Sequence, residues 1–130
     1  MLVLFATLPP AMKPAIGSLQ RLTPSEHGAI AHLAQELRRA WGESDLDSVR
    51  LFGSKARGES KSTSDVDVLV VASHLSEQRR NFLYELVLRI VEDFGVYLSV
   101  KLFSKEEFQE YASIPSPFVR NVLREGVAVS

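Results

Sequence analysis

The chain has 130 residues, 45% hydrophobic and 24% charged, the balance of an ordinary globular domain with enough length to build a core. Fifteen basic residues against sixteen acidic leave a net charge of −1, and there is no cysteine. Disulfides are thereby excluded, and so is a global electrostatic footprint for duplex nucleic acid or an anionic membrane. No apolar run approaches the roughly 20 residues needed to span a bilayer.

Residues 1–22 are expected to form a loosely held extension ahead of a domain over 23–130. Met1 to Ala11 is apolar but lacks a basic start and halts at Pro9-Pro10, so it does not read as a secretory signal. Met12-Lys13-Pro14 offers an alternative start, and the cytoplasm is the expected location.

Thr23-Pro24-Ser25-Glu26 opens a helix, with Thr23 as cap, Pro24 at the first helical position and Glu26 closing a capping box. Ile30, Leu33, Leu37 and Trp41 keep helical spacing, and Gly42 offers a left-handed stop. Val49 and Leu51 alternate with Arg50 and Phe52 in a short strand ending at Gly53. The polar stretch Ser54 to Ser64 is expected to be a loop. Val66 to Ala72 is apolar at nearly every position except Asp67, the pattern of a central strand covered on both faces. From Ser76 to Phe94 the set Phe82, Leu83, Leu86, Val87, Ile90, Val91 and Phe94 draws a broad helical stripe ending at Gly95. Val96, Leu98, Val100 and Leu102 then alternate with Tyr97, Ser99, Lys101 and Phe103 as a third strand. Ser104 and Glu107 form a second capping box for a helix to about Tyr111. Ser116-Pro117 starts a last helix stopped by Gly126, with Val127 to Val129 as a candidate edge strand. The expected fold is α/β (α+β), a small mixed sheet flanked by helices, with the relative direction of the first two strands left open.

The chemistry is concentrated in one segment, Gly53-Ser54-Lys55-Ala56-Arg57-Gly58-Glu59 through Ser64-Asp65-Val66-Asp67. Residues i and i+2 of a strand share a face, so Asp65 and Asp67 present two carboxylates together. Such a pair repels unless a cation lies between its members, and hard oxygen ligands suit Mg²⁺ bound jointly with a substrate's phosphates. A glycine after a strand lets backbone amides approach a phosphate, and the Ser54 hydroxyl can bond phosphate oxygen. Lys55, Arg57 and Lys61 supply locally the positive charge that the whole chain lacks. Each feature alone has a bland reading as a turn, a solvated strand end or a wet loop face.

Together, Gly53-Ser54, ten intervening residues and Asp65-x-Asp67 entering an apolar strand closely resemble the signature of the DNA polymerase beta superfamily of nucleotidyltransferases. Arg57-Gly58-Glu59, Ser64 and the ending Phe118-Val119-Arg120-Asn121 to Arg124-Glu125-Gly126 resemble its small stand-alone branch, the minimal nucleotidyltransferases. Many of these are antitoxins of HEPN-domain RNase toxins. The resemblance implies a Mg²⁺-bound nucleoside triphosphate such as ATP. Gly53 and Ser54 match the phosphate grip, Lys55, Arg57 and Ser64 adjoin the nucleotide, and Asp65 and Asp67 match the catalytic metal ligands. It also implies in-line attack on the α-phosphorus with pyrophosphate leaving, where two metals about 4 Å apart can hold the entering and leaving oxygens. In the antitoxin branch the acceptor is a tyrosine of the toxin. A HEPN-type protein is therefore the expected partner, and nucleic acid is not expected because the net charge gives no extended basic track.

The pattern breaks at one place. The superfamily usually adds a third carboxylate from the following strand, and alignment of Gly95 to Phe103 puts Ser99 there. A serine is neither an anionic ligand nor a base near neutral pH, and Lys101 on the same side adds the wrong sign for a metal. Glu92, Asp93, Glu106 and Glu107 fall on predicted helices with no reason to aim at the site. Either the acceptor brings the missing group, or the domain is a catalytically impaired fold that acts by binding its partner. His27, His32 and His74 share no metal-ligand spacing. Trp41 reads as a helix-end core residue, and Tyr84 and Tyr97 read as packed aromatics.

Overall fold

The computed structural model describes residues 22–52, 66–117, 120 and 127–128. The expected N-terminal extension up to residue 21, the loop 54–64, and Gly53, Ser54, Lys55, Arg57, Ser64 and Asp65 lie outside the described residues. So does most of the last expected helix with its Gly126 stop. Within the described residues the elements are α1 (Pro24–Trp41), β1 (Leu46–Phe52), β2 (Val66–Ala72), α2 (Glu77–Phe94), β3 (Leu98–Phe103), α3 (Lys105–Ser113) and β4 (Val127–Ala128).

The helix starts are set by side-chain caps. Thr23 Oγ1 accepts the Glu26 N–H at 3.1 Å while Glu26 Oε1 accepts the Thr23 N–H at 2.9 Å, the reciprocal box that satisfies two orphan donors of α1. Ser104 and Glu107 repeat the arrangement on α3, and Ser76 Oγ accepts the Arg79 N–H at the start of α2. The two long helices end differently. Gly95 adopts the left-handed conformation (φ 68°, ψ 23°). Gly42 has φ 81° but ψ 158°, so the expected left-handed stop is an extended positive-φ turn instead, one that still requires glycine.

The strands form a sheet in the order β3-β2-β1-β4, with β1 antiparallel to β2 and to β4, and β2 parallel to β3 across the α2 crossover. This is the mixed sheet expected, and it closes the open question of direction. β1 starts at Leu46, three residues before the alternation begins. Its ladder shifts register between Leu46 and Ser48, so Asp47 interrupts the period-2 pattern that would have revealed the strand. β3 starts at Leu98, leaving Val96 and Tyr97 before it.

The main core lies on one face of the sheet. Val49 and Leu51 of β1, Val66, Val68, Val70 and Ala72 of β2 and Leu98 of β3 pack against Ile30, Leu33, Ala34, Leu37 and Trp41 of α1 and Leu83, Leu86 and Ile90 of α2. Leu22 joins them. The α2 stripe is narrower than its apolar residues announce, since Phe82, Val87 and Phe94 are only partly buried beside that core. Tyr84 and Tyr97 are exposed at 61% and 65%, which corrects their reading as packed aromatics: no element among the described residues covers either ring. Trp41 is buried as expected. Among the described residues no helix is long and apolar enough to cross a membrane.

One end of the sheet is pinned by Asp45. Its carboxylate accepts from Arg79 at 2.9 Å and approaches His74 Nδ1 at 3.3 Å, and Arg79 also donates to the Ser73 carbonyl at 3.1 Å. These contacts tie the turn before β1 to the start of α2. The hydrogen bond and charge of Arg79, aided by His74, hold the Asp45 carboxyl below its usual value of 3.8 despite opposing desolvation. A depressed carboxyl contributes stability that is present above its unfolded value and is lost as pH falls through the folded one. Asp45→Asn should therefore lower Tm at pH 7, with the gap to wild type closing as pH drops below about 3.8 in thermal melts. A pH-independent gap would show that the carboxylate is not responsible.

Candidate active site

β2 divides its side chains by parity. The even-numbered valines enter the core, and Asp67, Leu69 and Val71 point to the opposite face. Pairing then sorts this second face into three rows across β1, β2 and β3. The first row is Phe52–Asp67–Ser99, the second Arg50–Leu69–Lys101, and the third Ser48–Val71–Phe103. Asp67 is half-buried, one residue inside the strand, and both Ser99 and Lys101 are exposed.

The far part of this face is closed by α3. Phe108 and Phe103 pack on Phe52, Leu69 and Val71, and the Tyr111 ring lies 5.1 Å from that of Phe103. Arg50 is caught beneath this cover at 2% exposure, its guanidinium 4.8 Å from the Phe108 ring centroid. Burial pushes its pKa down to about 10, opposed by the Asp47 carboxylate, so it stays charged at neutral pH. In the first row Phe52 belongs to this buried cluster, whereas Asp67 is half-buried and Ser99 is exposed. Among the described residues, the accessible groups on this face are the Asp67 carboxylate, the Ser99 hydroxyl and, one row away, the Lys101 ammonium.

The residues singled out by the sequence divide accordingly. Asp67 stands at the mouth of the β1–β2 pair, at the point where the chain leaves Phe52 and returns at Val66. Gly53, Ser54, Lys55, Arg57, Ser64 and Asp65 belong to the connecting segment, outside the described residues. Ser99 lies directly across from Asp67, and Lys101 follows on the same face. Arg50 carried no functional expectation. The signal was available, since a basic residue alternating with Val49 and Leu51 in a strand must occupy the face opposite the main core.

The described residues hold no cluster of three or more metal-ligating side chains. The Asp67 carboxylate with the Ser99 hydroxyl opposite fits an oxygen-ligated cation of the Mg²⁺ kind, which commonly takes one or two carboxylates and completes its shell with water and phosphate. Asp65, the other carboxylate of the sequence pair, lies outside the described residues. A groove lined by Gln35, Glu36, Arg38, Arg39, Gly42 and Glu43 lies near the start of β1, at the other end of the sheet, and brings nothing to Asp67.

The fold defines a class. A crystal structure of a candidate nucleotidyltransferase from Sulfolobus solfataricus superposes with TM-score 0.51, covering 94% of this chain and 88% of that one at 19% identity. Residues 30–129 match the nucleotidyltransferase domain family, and the chain belongs to it. It is similar to two proteins of Methanocaldococcus jannaschii, each named a candidate protein adenylyltransferase. One is 38% identical over 68 residues, half of this chain and 46% of that protein; the other is 29% identical over 102 residues, 78% of this chain and 95% of that protein. The chain thus spans about half the length of the first relative.

The register makes a prediction of opposite sign to a buried placement. Because Ser99 is exposed, Ser99→Asp should change the unfolding free energy by no more than about 0.5–1 kcal/mol in urea titration. A loss of several kcal/mol, the cost of stranding a charge in a core, would contradict this placement.

Proposed function

We propose that the chain binds a Mg²⁺-bound nucleoside triphosphate, ATP by preference, at the open end of β1 and β2 and transfers its nucleotidyl group to a hydroxyl of a partner protein. The observation that carries this reading is the position of Asp67, held half-buried and in register between Phe52 and Ser99 within a nucleotidyltransferase-family domain. The names of the M. jannaschii relatives support AMP as the transferred group. Resemblance to the minimal branch supports a toxin of the HEPN type as acceptor, and with it a cytoplasmic setting.

In this reading the backbone after Phe52, at Gly53 and Ser54, grips the phosphates, and Lys55, Arg57 and Ser64 adjoin them. Asp65 and Asp67 would hold Mg²⁺, which when bound offsets charge on the triphosphate and polarises the α-phosphoryl group. The acceptor oxygen forms a bond to the α-phosphorus, the bond from the α-phosphorus to the bridging oxygen breaks, and pyrophosphate carries away that electron pair. The acceptor's proton must leave as well. Ser99 is a poor base, so the proton passes to solvent or to a group of the partner.

A second reading is favoured by that same row. With a serine across from Asp67 and a lysine beside it, the domain serves as a binding module that occupies its partner without modifying it. Incubation with α-labelled ATP and the partner separates the two, since label on the partner supports transfer and a tight unlabelled complex supports the binding module. Nucleotide binding itself is tested by calorimetry. Asp67→Asn should weaken Mg²⁺-dependent ATP binding at least about tenfold, the loss of a charged ligand. Equal heats from wild type and variant would overturn the nucleotide site.

A further inference from the structure

We infer that Tyr97 is an acceptor within the chain itself: its phenolic hydroxyl takes the adenylyl group from a nucleotide held at Asp67, so that the domain modifies its own tyrosine when no partner is present. The inference rests on the transfer reading above and concerns only which hydroxyl of this chain the α-phosphorus meets.

Register places the residue. The β2–β3 ladder opens with the pair Val66–Leu98, and the Val66 N–H donates to the Tyr97 carbonyl at 3.0 Å, so Tyr97 is held at the mouth of that pairing. Burial alternates through this start: Val96 and Leu98, each 7% exposed, belong to the main core, while Tyr97 and Ser99 are exposed. Tyr97 therefore stands on the face of Asp67 and Ser99, at the end of the sheet where the chain enters β2. It is a diagonal neighbour of Asp67 across the strand pair, roughly 7–8 Å away and within the span of an aromatic side chain.

The chain has three tyrosines, and the other two are placed differently. Tyr84 lies on α2, which packs on the main-core face, the far side of the sheet from Asp67. Tyr111 lies on α3 with its ring 5.1 Å from that of Phe103, over the third row, and burial pushes its phenol up. Ser99 is directly across from Asp67, but its Oγ is joined to Cβ and stands no further out from the sheet than the Asp67 carboxylate. The Tyr97 hydroxyl stands a ring's length further out, where a phosphate held beyond that carboxylate can meet it.

The step balances. A bond forms from Tyr97 Oη to the α-phosphorus, the bond from the α-phosphorus to the bridging oxygen breaks, and pyrophosphate leaves with that electron pair. The phenolic proton passes to the solvent that reaches the exposed ring. ATP, the substrate of the proposed reaction, supplies the group.

Two readouts on the full-length chain, without partner, test the inference. With fluorotyrosine incorporated, each of the three tyrosines gives a fluorine NMR signal, assigned through Tyr84→Phe, Tyr97→Phe and Tyr111→Phe. Mn²⁺ with the non-transferable analogue α,β-methylene-ATP should broaden the Tyr97 signal first and leave that of Tyr84 sharp. Incubation of the unlabelled chain with ATP and Mg²⁺ should add a single adenylyl group, mapped by mass spectrometry to Tyr97, absent from Tyr97→Phe and retained in Tyr84→Phe. The modified fraction at a given time should not depend on protein concentration, as transfer within one chain requires. Because Tyr97 is exposed and phenylalanine keeps its ring, Tyr97→Phe should unfold at wild-type urea concentrations, which separates loss of the acceptor from loss of the fold. A sharp Tyr97 signal beside bound analogue, an adenylyl group on any other residue, transfer that grows with protein concentration, or no transfer at all would overturn the inference while leaving the nucleotide site standing. No Mn²⁺-dependent analogue binding would overturn both.

Discussion

The structure depends on the parity of β2. Val66, Val68, Val70 and Ala72 are sealed against α1 and α2, and this fixes the strand so firmly that Asp67 has only one place to go. A slip of one residue would carry Asp67 into the core and the valines to the opposite face, so the apolar side sets the register and the register sets the site. The same constraint passes to the neighbours. β1 and β3 must bury Leu51 and Leu98 beside those valines, and Phe52 and Ser99 then fall on either side of the carboxylate.

The second face is built unlike the first. Among the described residues it is only partly covered, by the short α3 and its aromatic contacts from Phe108 and Tyr111, and it keeps a buried arginine under that cover. Polar and charged groups therefore survive on a central strand of a small domain because they share one face and face away from the main core. The proposed site asks for a carboxylate held rigidly yet open to ligand. Here rigidity comes from two flanking strands and openness from the place where α3 stops covering the sheet. Ser99 and Lys101, both exposed, bear on the charge of this face and not on its architecture.

Much of this was legible in the sequence. The limits of α1, α2 and α3 follow from caps whose chemistry is local, at Thr23, Ser76 and Ser104, and β2 declares itself by an apolar run with a single carboxylate. The pairing of Ser99 with Asp67 agrees with the alignment of the third strand to the pattern of the family that the sequence resembles. What was hidden depends on distant partners. The start of β1 was masked by Asp47 at the irregular pair, and the antiparallel sense of β1 and β2 is a property of the folded sheet that no short window contains. The exposure of Tyr84 and Tyr97 likewise reflects which elements fail to cover them, and an aromatic residue type says nothing of that. Arg50 shows the reverse case. Its face was readable from alternation, and its burial required knowing that α3 folds back over it.

The central claim is that nucleotide and metal meet this protein at the Asp67 row. It is tested most directly by paramagnetic broadening in an amide-resolved NMR spectrum, recorded with Mn²⁺ and α,β-methylene-ATP. The account predicts that signals of Phe52, Val66, Asp67, Val68 and Ser99 vanish first, while those of the groove by Glu36 and Gly42 persist. Broadening centred on that groove or on α3, with the Asp67 row untouched, would contradict it.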